Sequence, residues 1–212
     1  MIPLILKLKK AEHKEVAKAQ DLIVETLYKT FEYGVIHGGT SIWRCYHGSR
    51  FSEDVDVYIS RDLKKIDLFF SSTEKLGFII KKKKIGENSL YSNLELNETS
   101  VRLEAIFKKV NGSLAEYEAV DGNLITVYTL LPEELINEKV NAYLGRKKIR
   151  DLYDIFYLLR FVKDKKLIIK SLKKLIDEFP RPVDEKDLKI LIIEGIVPNL
   201  DSMLLYIKRS LN

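Results

Sequence analysis

The sequence predicts an α+β fold in which a mixed β-sheet flanked by helices precedes an all-helical C-terminal domain. Two observations predict this. Strand-like stretches dominate the middle of the first 130 residues. From Leu131-Pro132-Glu133-Glu134 onward, every apolar pattern has helical spacing. We therefore expect two domains, residues 1–130 and residues 131–212.

The elements of the first domain follow from apolar periodicity and turn residues. A helix is expected from about Glu12 to Tyr33, where Gly34 ends the periodic pattern. A short strand, Val35–His37, then leads into Gly38-Gly39 and a short helix over residues 40–46. A strand, a helix and five further strands are expected at Asp54–Ser60, Leu63–Leu76, Phe78–Lys83, Leu90–Leu96, Ser100–Phe107, Glu116–Val120 and Leu124–Val127. Asn111-Gly112 and Asp121-Gly122 are turn signals between strands.

The second domain begins with a helix start signal. Pro132 followed by two acids is typical of the first turn of a helix, because proline lacks an N–H that would be unpaired there. The remaining apolar patterns predict helices at about Pro132–Leu144, Arg150–Val162, Lys165–Phe179, Asp184–Glu194 and Asn199–Leu211.

The composition excludes several classes of protein. The chain has 212 residues, of which 46% are hydrophobic and 32% charged, as expected for a folded protein. Its net charge of +5 permits an anionic partner. The single cysteine, Cys45, excludes an intrachain disulfide and a cysteine-cluster zinc site. No apolar run approaches the roughly 20 residues of a membrane span, and the N-terminal order of apolar and charged residues is wrong for a secretory signal. We expect a cytoplasmic protein without a membrane partner.

The glycine turn at Gly38-Gly39 is a candidate phosphate site. Glycines let the backbone approach an anion closely, and the helix after them points unpaired N–H groups toward it. Thr40 and Ser41 add hydroxyl donors. A lone Gly-Gly pair is more often an ordinary turn, so this motif gains weight only from the acidic residues downstream of it.

Two aspartates come after the glycine turn at a distance that allows one short helix and a return to the sheet. Asp54 and Asp56 are two residues apart on a predicted strand, so both side chains point to one face. Carboxylates this close repel each other unless a cation lies between them, and Mg²⁺ prefers such oxygen ligands. A solvated strand end is the alternative for an isolated Asp-x-Asp. A phosphate cradle beside a carboxylate pair, however, is what metal-assisted nucleotidyl transfer requires.

Glu104 is a candidate third carboxylate. In the segment Ser100–Ile106 it shares a face with Arg102, opposite the apolar residues. It could be a metal ligand or the base that accepts a proton from an attacking hydroxyl, and a solvent-facing strand residue is the alternative.

With these motifs, the sequence resembles the AbiEii/AbiGii toxin family within the DNA polymerase β-type nucleotidyltransferase superfamily. The first matching block is Gly38-Gly39-Thr40-Ser41 together with Arg50-Phe51-Ser52-Glu53-Asp54-Val55-Asp56. The second is Glu138-Lys139-Val140-Asn141-Ala142, then Arg146, then Arg150-Asp151-Leu152-Tyr153-Asp154. The two blocks span about residues 35–159.

The resemblance implies a fold and a reaction. It implies a mixed sheet with helices, a helical C-terminal domain and a site in the cleft between them. It implies that an NTP binds with Mg²⁺, that an acceptor hydroxyl attacks the α-phosphate and that pyrophosphate leaves. Family members modify the 3′ end of tRNA or are proposed to modify proteins, and many are toxins controlled by a cognate antitoxin. The basic charge favours RNA, tRNA first, as the acceptor.

The resemblance also implies roles for single residues. Gly38, Gly39, Thr40 and Ser41 would hold the triphosphate. The metal ions would be bound by Asp54, Asp56 and Glu104. Lys139 would reach the phosphates or the nucleotide from the helical domain, and Asp151 with Asp154 would shape that side of the site.

The residues of the second block also have purely structural interpretations. Lys139 could extend outward as a surface charge. Asp151 and Asp154 could be acids near a helix start, paired with Arg150 or Lys147.

Several basic residues have two interpretations. Arg44 and Arg50 could neutralise phosphate charge near the glycine turn, or pair with Glu53 at the surface. The run Lys81–Lys84, with Lys108 and Lys109, could follow an RNA backbone, or form a solvated face.

Three other functions compete with RNA modification. The same chemistry could transfer a nucleotide to a protein, the fold could serve as a non-catalytic binding module for RNA or a partner, or the acceptor could be a small molecule. The intact Gly-Gly-Thr and Asp-x-Asp motifs favour catalysis over mere binding. A cationic small molecule would require an acidic pocket, which a basic chain does not indicate.

Overall fold

The computed structural model describes residues 3–211. The chain forms two compact units, one made of residues 3–47 and 51–130, the other of residues 48–50 and 131–211. The short segment 48–50 thus packs with the helical residues that come much later in the chain. No helix within residues 3–211 is both long and apolar enough to span a membrane.

The first unit is built on a mixed sheet. Its seven strands, all within the described residues, are β1 (Val35–His37), β2 (Val55–Ile59), β3 (Ile79–Ile85), β4 (Ser89–Leu96), β5 (Thr99–Phe107), β6 (Ser113–Glu118) and β7 (Leu124–Thr129). Their spatial order is β3-β4-β5-β2-β1-β7-β6. The pairs β1–β7 and β2–β5 are parallel, and the other pairs are antiparallel. The predicted mixed sheet is confirmed.

The helices of the first unit are α1 (Leu4–Lys7), α2 (Ala11–Thr30), α3 (Gly38–Cys45) and α4 (Leu63–Lys75). Helix α2 packs on β5 and on α4, and α4 also contacts β3. The observed bounds of α2, α3 and α4 agree with the predicted bounds to within a few residues. The prediction did not include α1, which is a single short turn.

The two faces of the sheet differ sharply. Alternate residues of β2 and β5, among them Val55, Val57 and Leu103, are almost fully buried. The residues between them, such as Asp56 and Glu104, are partly exposed. Because side chains alternate along a strand, the apolar residues form one helix-covered face. We name the opposite face, which carries Asp56 and Glu104, the carboxylate face.

One predicted turn is not a hairpin. Strands β5 and β6 are not neighbours, so the segment with Asn111 and Gly112 crosses the end of the sheet. A β-carbon on Gly112 would lie 2.9 Å from Cβ of Tyr128 and from Cγ2 of Val35. Glycine is therefore needed here for close passage over the sheet rather than for a tight turn. The second signal, Asp121-Gly122, does join neighbouring antiparallel strands.

The second unit is helical, as predicted. Its helices are α5 (Pro132–Arg146), α6 (Ile149–Leu158), α7 (Lys166–Asp177), α8 (Leu188–Leu191) and α9 (Leu200–Arg209). The helix predicted at 184–194 extends too far: residues 185–191 form a 3₁₀ turn at Glu185–Asp187 followed by the single turn α8. Ile192 then pairs with Arg50, and the Ile193 N–H donates to the Ser49 carbonyl at 2.9 Å. These extended backbone pairings replace the last part of the expected helix.

Candidate active site

One row of residues crosses the carboxylate face at the junction of β1, β2 and β5. The strand register places His37 opposite Asp56, and Asp56 opposite Glu104. Residues directly opposite each other on neighbouring strands have β-carbons about 5 Å apart. The fold therefore brings together two carboxylates that are 48 positions apart in the chain (104 − 56).

Asp54 lies just before this row. The predicted strand Asp54–Ser60 begins one residue later, at Val55, so Asp54 is at the entrance to β2. Its carboxylate Oδ2 accepts a hydrogen bond from Arg102 Nη2. Arg102 Nε also lies 3.2 Å from Glu104 Oε1. One guanidinium thus connects two of the three candidate metal ligands.

Gly38 lies against the carboxylate of Asp56. It has a φ of +69°, which L-residues with a side chain rarely adopt. A β-carbon there would lie 2.2 Å from Oδ2 of Asp56. The missing side chain leaves the space that the Asp56 carboxylate occupies at the start of α3.

The hydroxyls of Thr40 and Ser41 are directed into the unit. Both residues are fully buried in the first turn of α3. Thr40 Oγ1 donates to the backbone carbonyl of Asp54. Ser41 Oγ is 2.5 Å from Thr129 Oγ1, which donates to the Ile36 carbonyl at 2.8 Å. These hydroxyls therefore fix the glycine turn to β1, β7 and the entrance of β2.

Aromatic rings border the row at its β1 side. His37 and Tyr58 stack with ring centroids 4.0 Å apart. Lys108 Nζ lies 5.7 Å from the centroid of the Tyr58 ring. The carboxylates are thus bordered by an aromatic pair with a cation above it.

The chemistry of this donor set fits a divalent cation. Asp54, Asp56 and Glu104 offer only hard oxygen ligands, the type that Mg²⁺ prefers. Within residues 3–211, no three His, Cys, Asp or Glu side chains are already grouped closely enough to hold a metal ion. Arg102 supplies the positive charge between Asp54 and Glu104 in this arrangement.

A second charged cluster lies inside the helical unit. Asp154 is fully buried and receives a bidentate pair of hydrogen bonds from Arg50, both at 2.8 Å. Lys139 Nζ is 2.7 Å from Asp154 Oδ2 and 3.5 Å from Asp151 Oδ1. Burial alone would raise the pKa of Asp154, but Arg50 and Lys139 together outweigh it and hold that pKa below the usual value.

Asp151 completes the cluster. It is fully buried and is held by Arg146 through two hydrogen bonds of 2.7 Å. The expected alternative partners, Arg150 and Lys147, were wrong, since Arg146 and Lys139 take that place. Lys139 is also not an outward surface charge, because only 6% of it is exposed.

The two arginines near the glycine turn have structural partners. Arg44 is fully buried, donates to Asp21 Oδ1 at 2.9 Å and lies against the rings of Trp43 and Tyr117. Arg50 belongs to the helical unit and pairs with Asp154. Neither pairs with Glu53 at the surface, and both charges are neutralised by buried aspartates instead of being held ready for a phosphate.

Sequence reasoning missed the role of Arg102. Part of the signal was present, because Arg102 and Glu104 share one face of the strand, and opposite charges on one face of a sheet attract each other. The role of Arg146 was also missed. Its spacing of five from Asp151 crosses a helix boundary, so no helical rule predicts the contact.

One cavity of the first unit lies away from the carboxylates. Its volume is about 630 Å³, and it is found where β1 begins and β2 ends. Lys65, Lys108 and Lys109 border it together with Tyr33 and Tyr128. The row on the carboxylate face, His37, Asp56 and Glu104, contributes no residue to this cavity and lies on the surface of the sheet.

The fold is shared with several solved structures, one of which is a nucleotidyltransferase toxin. The nucleotidyltransferase toxin MenT4 (Rv2826c) of Mycobacterium tuberculosis H37Rv has a TM-score of 0.65 at 18% identity, over 98% of this chain and 86% of that one. JHP933 of Helicobacter pylori has a TM-score of 0.64 at 17% identity, over 95% and 91%. The antibiotic-resistance factor ANT(2″)-Ia has a TM-score of 0.50 at 13% identity, over 76% and 91%. At these identities the likeness concerns the fold.

Sequence comparison defines the family. No curated protein matches the chain. The family model described as nucleotidyl transferase AbiEii toxin, type IV toxin–antitoxin system, matches residues 25–200. That range contains the glycine turn, the three carboxylates on the sheet and the buried cluster of the helical unit. The chain therefore belongs to the AbiEii family of nucleotidyltransferase toxins, and it is an NTP-dependent nucleotidyltransferase.

Proposed function

We propose that this enzyme uses Mg²⁺ to transfer a nucleoside monophosphate from an NTP to a hydroxyl at the 3′ end of an RNA, tRNA first. The single observation that carries the proposal is the register of Asp56 with Glu104 beside Gly38. This register gives a carboxylate pair next to a backbone turn that can receive a triphosphate. The family supplies the type of reaction.

The triphosphate is assigned to the start of α3. The N–H groups of the first helical turn are unpaired within the helix and favour an anion. Gly38 forms the turn before these N–H groups through its positive φ, and it leaves the space that the Asp56 carboxylate occupies beside them. Thr40 and Ser41 support this turn from inside, since their hydroxyls bind Asp54 and Thr129.

Asp54, Asp56 and Glu104 are assigned to hold the metal ions. Bound there, Mg²⁺ would neutralise the phosphate charge and lower the pKa of the attacking hydroxyl. Arg102 balances two of these carboxylates through one oxygen of each, Oδ2 of Asp54 and Oε1 of Glu104.

The reaction itself is an in-line displacement. The acceptor hydroxyl oxygen forms a bond to the α-phosphorus, the bond from that phosphorus to the α,β-bridging oxygen breaks, and pyrophosphate leaves with the electron pair. Glu104 is half-exposed on the carboxylate face and is assigned as a metal ligand or as the acceptor of the hydroxyl proton.

The helical-unit residues are assigned to positioning. Lys139 and Asp154 are held in a buried ion pair with Arg50, and Asp151 is held by Arg146. In this arrangement the Lys139 ammonium fixes α5 to α6.

The acceptor is assigned from charge. A net charge of +5 favours a polyanion, and RNA 3′ ends carry the required hydroxyl. A serine, threonine or tyrosine hydroxyl of a protein is the competing acceptor for the same chemistry. The family description also includes an antitoxin as a partner of the toxin.

The test is transfer of label from each α-³²P NTP, with and without Mg²⁺, into total tRNA and separately into total protein. The wild-type enzyme is compared with Asp56→Asn. Asp67→Asn is the matched control, because Asp67 is an exposed acid of α4 in the same unit.

Label in tRNA that requires Mg²⁺, disappears in Asp56→Asn and persists in Asp67→Asn would support the proposal. Label in protein with the same dependence would keep the reaction and replace the acceptor. Folded protein that labels neither pool and binds no NTP would overturn catalysis and favour a binding module.

A further inference from the structure

The row of residues on the carboxylate face continues beyond the candidate metal ligands. The register places Glu104 opposite Tyr91 of β4, and Tyr91 opposite Lys84 of β3. Lys84, Tyr91, Glu104, Asp56 and His37 therefore form one line across five neighbouring strands. A basic and aromatic surface thus adjoins the carboxylates on their β4 side.

Lys82 extends this surface by one step along β3. It lies opposite Asn93, and its Nζ is 5.0 Å from the centroid of the Tyr91 ring. Lys82 and Lys84 are exposed, and Tyr91 is partly exposed. One ammonium group therefore lies near a partly exposed aromatic ring, and a second exposed lysine, Lys84, is on the strand position opposite that ring.

The four lysines of this strand differ in their partners. Lys81 pairs with Glu95 at 3.0 Å, and Lys83 pairs with Asp67 of α4 at 2.9 Å. Within residues 3–211, neither Lys82 nor Lys84 has a carboxylate partner. The uncompensated charge of the run is therefore concentrated on the pair beside Tyr91.

We propose that Lys82, Lys84 and Tyr91 bind the single-stranded 3′ end of the acceptor RNA next to the reacting nucleotide. This rests on the proposed function, and it assigns to the RNA a path over β4 and β3. A base stacks on Tyr91, as bases do on exposed aromatic rings of single-strand binding proteins. The ammonium groups of Lys82 and Lys84 bind the flanking phosphates.

The spacing suits this assignment. Neighbouring strands are about 4.8 Å apart, so Tyr91 lies about 5 Å from Glu104 and about 10 Å from Asp56 across the sheet. An RNA whose 3′-terminal hydroxyl lies at the carboxylates would therefore place an adjacent nucleotide over Tyr91. The start of α3, on the β1 side of the row, stays available for the triphosphate.

The test measures binding of a short 5′-fluorescein-labelled single-stranded RNA by fluorescence anisotropy at several salt concentrations, without NTP or Mg²⁺. The variants are Lys82→Ala/Lys84→Ala and Tyr91→Ala. The control is Lys75→Ala/Lys83→Ala, which removes the same charge from the end of α4 and from the β3 lysine that pairs with Asp67 of α4. Tyr91→Phe keeps the ring and serves as the conservative variant.

The double variant at Lys82 and Lys84 should raise the Kd at least tenfold, and its salt slope should flatten by about 1.4, the value for two single-strand phosphate contacts. Tyr91→Ala should raise the Kd about tenfold with an unchanged slope, and Tyr91→Phe should bind like the wild type. The control pair should stay within about twofold.

Equal weakening by the two double variants would overturn the proposal, because it would indicate binding by overall charge alone. Unchanged RNA binding in Tyr91→Ala would overturn the stacking role. Transfer assays with the same variants separate this result from failure of the proposed function. If the wild type labels only protein, the proposed RNA acceptor is wrong. If the wild type and these variants label RNA equally, only the proposed RNA-binding role of Lys82, Lys84 and Tyr91 is wrong.

Discussion

The carboxylate of Asp56 fills the place that a side chain on Gly38 would take: a β-carbon on Gly38 would lie 2.2 Å from Oδ2 of Asp56. The contact joins the glycine turn to the carboxylate row, the two motifs that were recognised separately in the sequence. The positive φ of Gly38 adds a second reason for glycine at this position.

Replacing Gly38 with alanine should therefore abolish transfer. The new side chain must displace the Asp56 carboxylate or the turn, and strain at positive φ costs about 1–3 kcal/mol of unfolding free energy. Gly145→Ala is the control, since nothing lies within 4 Å of its added β-carbon in α5. Transfer assays and thermal melts measure both effects, and an active Gly38→Ala enzyme would contradict the assignment.

Removing Arg102 should make the folded protein more dependent on Mg²⁺. Arg102→Gln leaves Asp54 and Glu104 without the cation that connects them. Since Arg102 is partly exposed, we expect a loss of at most about 1 kcal/mol without metal. Mg²⁺ should then raise the melting temperature of Arg102→Gln more than that of the wild type.

The measurement is the melting temperature with and without Mg²⁺, in the absence of NTP. Arg102→Lys, which retains the positive charge, should respond like the wild type. An equal response of Arg102→Gln and wild type would show that the guanidinium does not compete with the ion.

The buried ion pair of the helical unit should dominate its stability. Asp154→Asn leaves the buried cations Arg50 and Lys139 without their main anion. Breaking such a pair costs about 3–5 kcal/mol. Urea unfolding checks this, with the exposed Asp177→Asn as a control that should stay within about 0.5 kcal/mol of the wild type.

The same carboxylate should set part of the acid stability. Burial would raise the pKa of Asp154, but Arg50 and Lys139 hold it below the unfolded value of about 3.9. The unfolded state therefore binds the proton first, and the contribution of Asp154 is present above that pH and is lost as the pH falls through the folded pKa. Unfolding free energies measured from pH 6 downward should decline more steeply below about pH 4 in the wild type than in Asp154→Asn. Parallel curves would contradict the assignment.

Local patterns were sufficient for most of the fold. Period-two alternation predicted the strands around Asp56 and Glu104, and the proline at residue 132 marked the start of α5. These signals depend on the burial of one side of each element, which leaves a trace in the sequence. The apolar pattern of the helix predicted at 184–194 continues past residue 191, but the helix ends there because Ile192 pairs with Arg50, a residue far away in the chain.

Some residues of the candidate site could likewise be recognised from local motifs, and some of its contacts could not. The glycine turn and Asp54-x-Asp56 are contiguous motifs, so their chemistry could be recognised in one dimension. The partner of Asp154 could not, because Arg50 lies 104 positions before it and no local rule selects that contact. The hydroxyls of Thr40 and Ser41 were expected to face a ligand, but the turn of α3 directs them toward Asp54 and Thr129.

The sequence by itself determined the family, the α+β class and the residues whose oxygens suit a metal. Only the tertiary structure decided which of them meet. Strand order places β5 next to β2, which brings Glu104 to Asp56 and Arg102 to Asp54. It also places Tyr91 and Lys84 on the same line. The physical reason is that periodicity reports which side of a strand is buried, whereas strand neighbours are selected by packing and hydrogen bonding over the whole sheet.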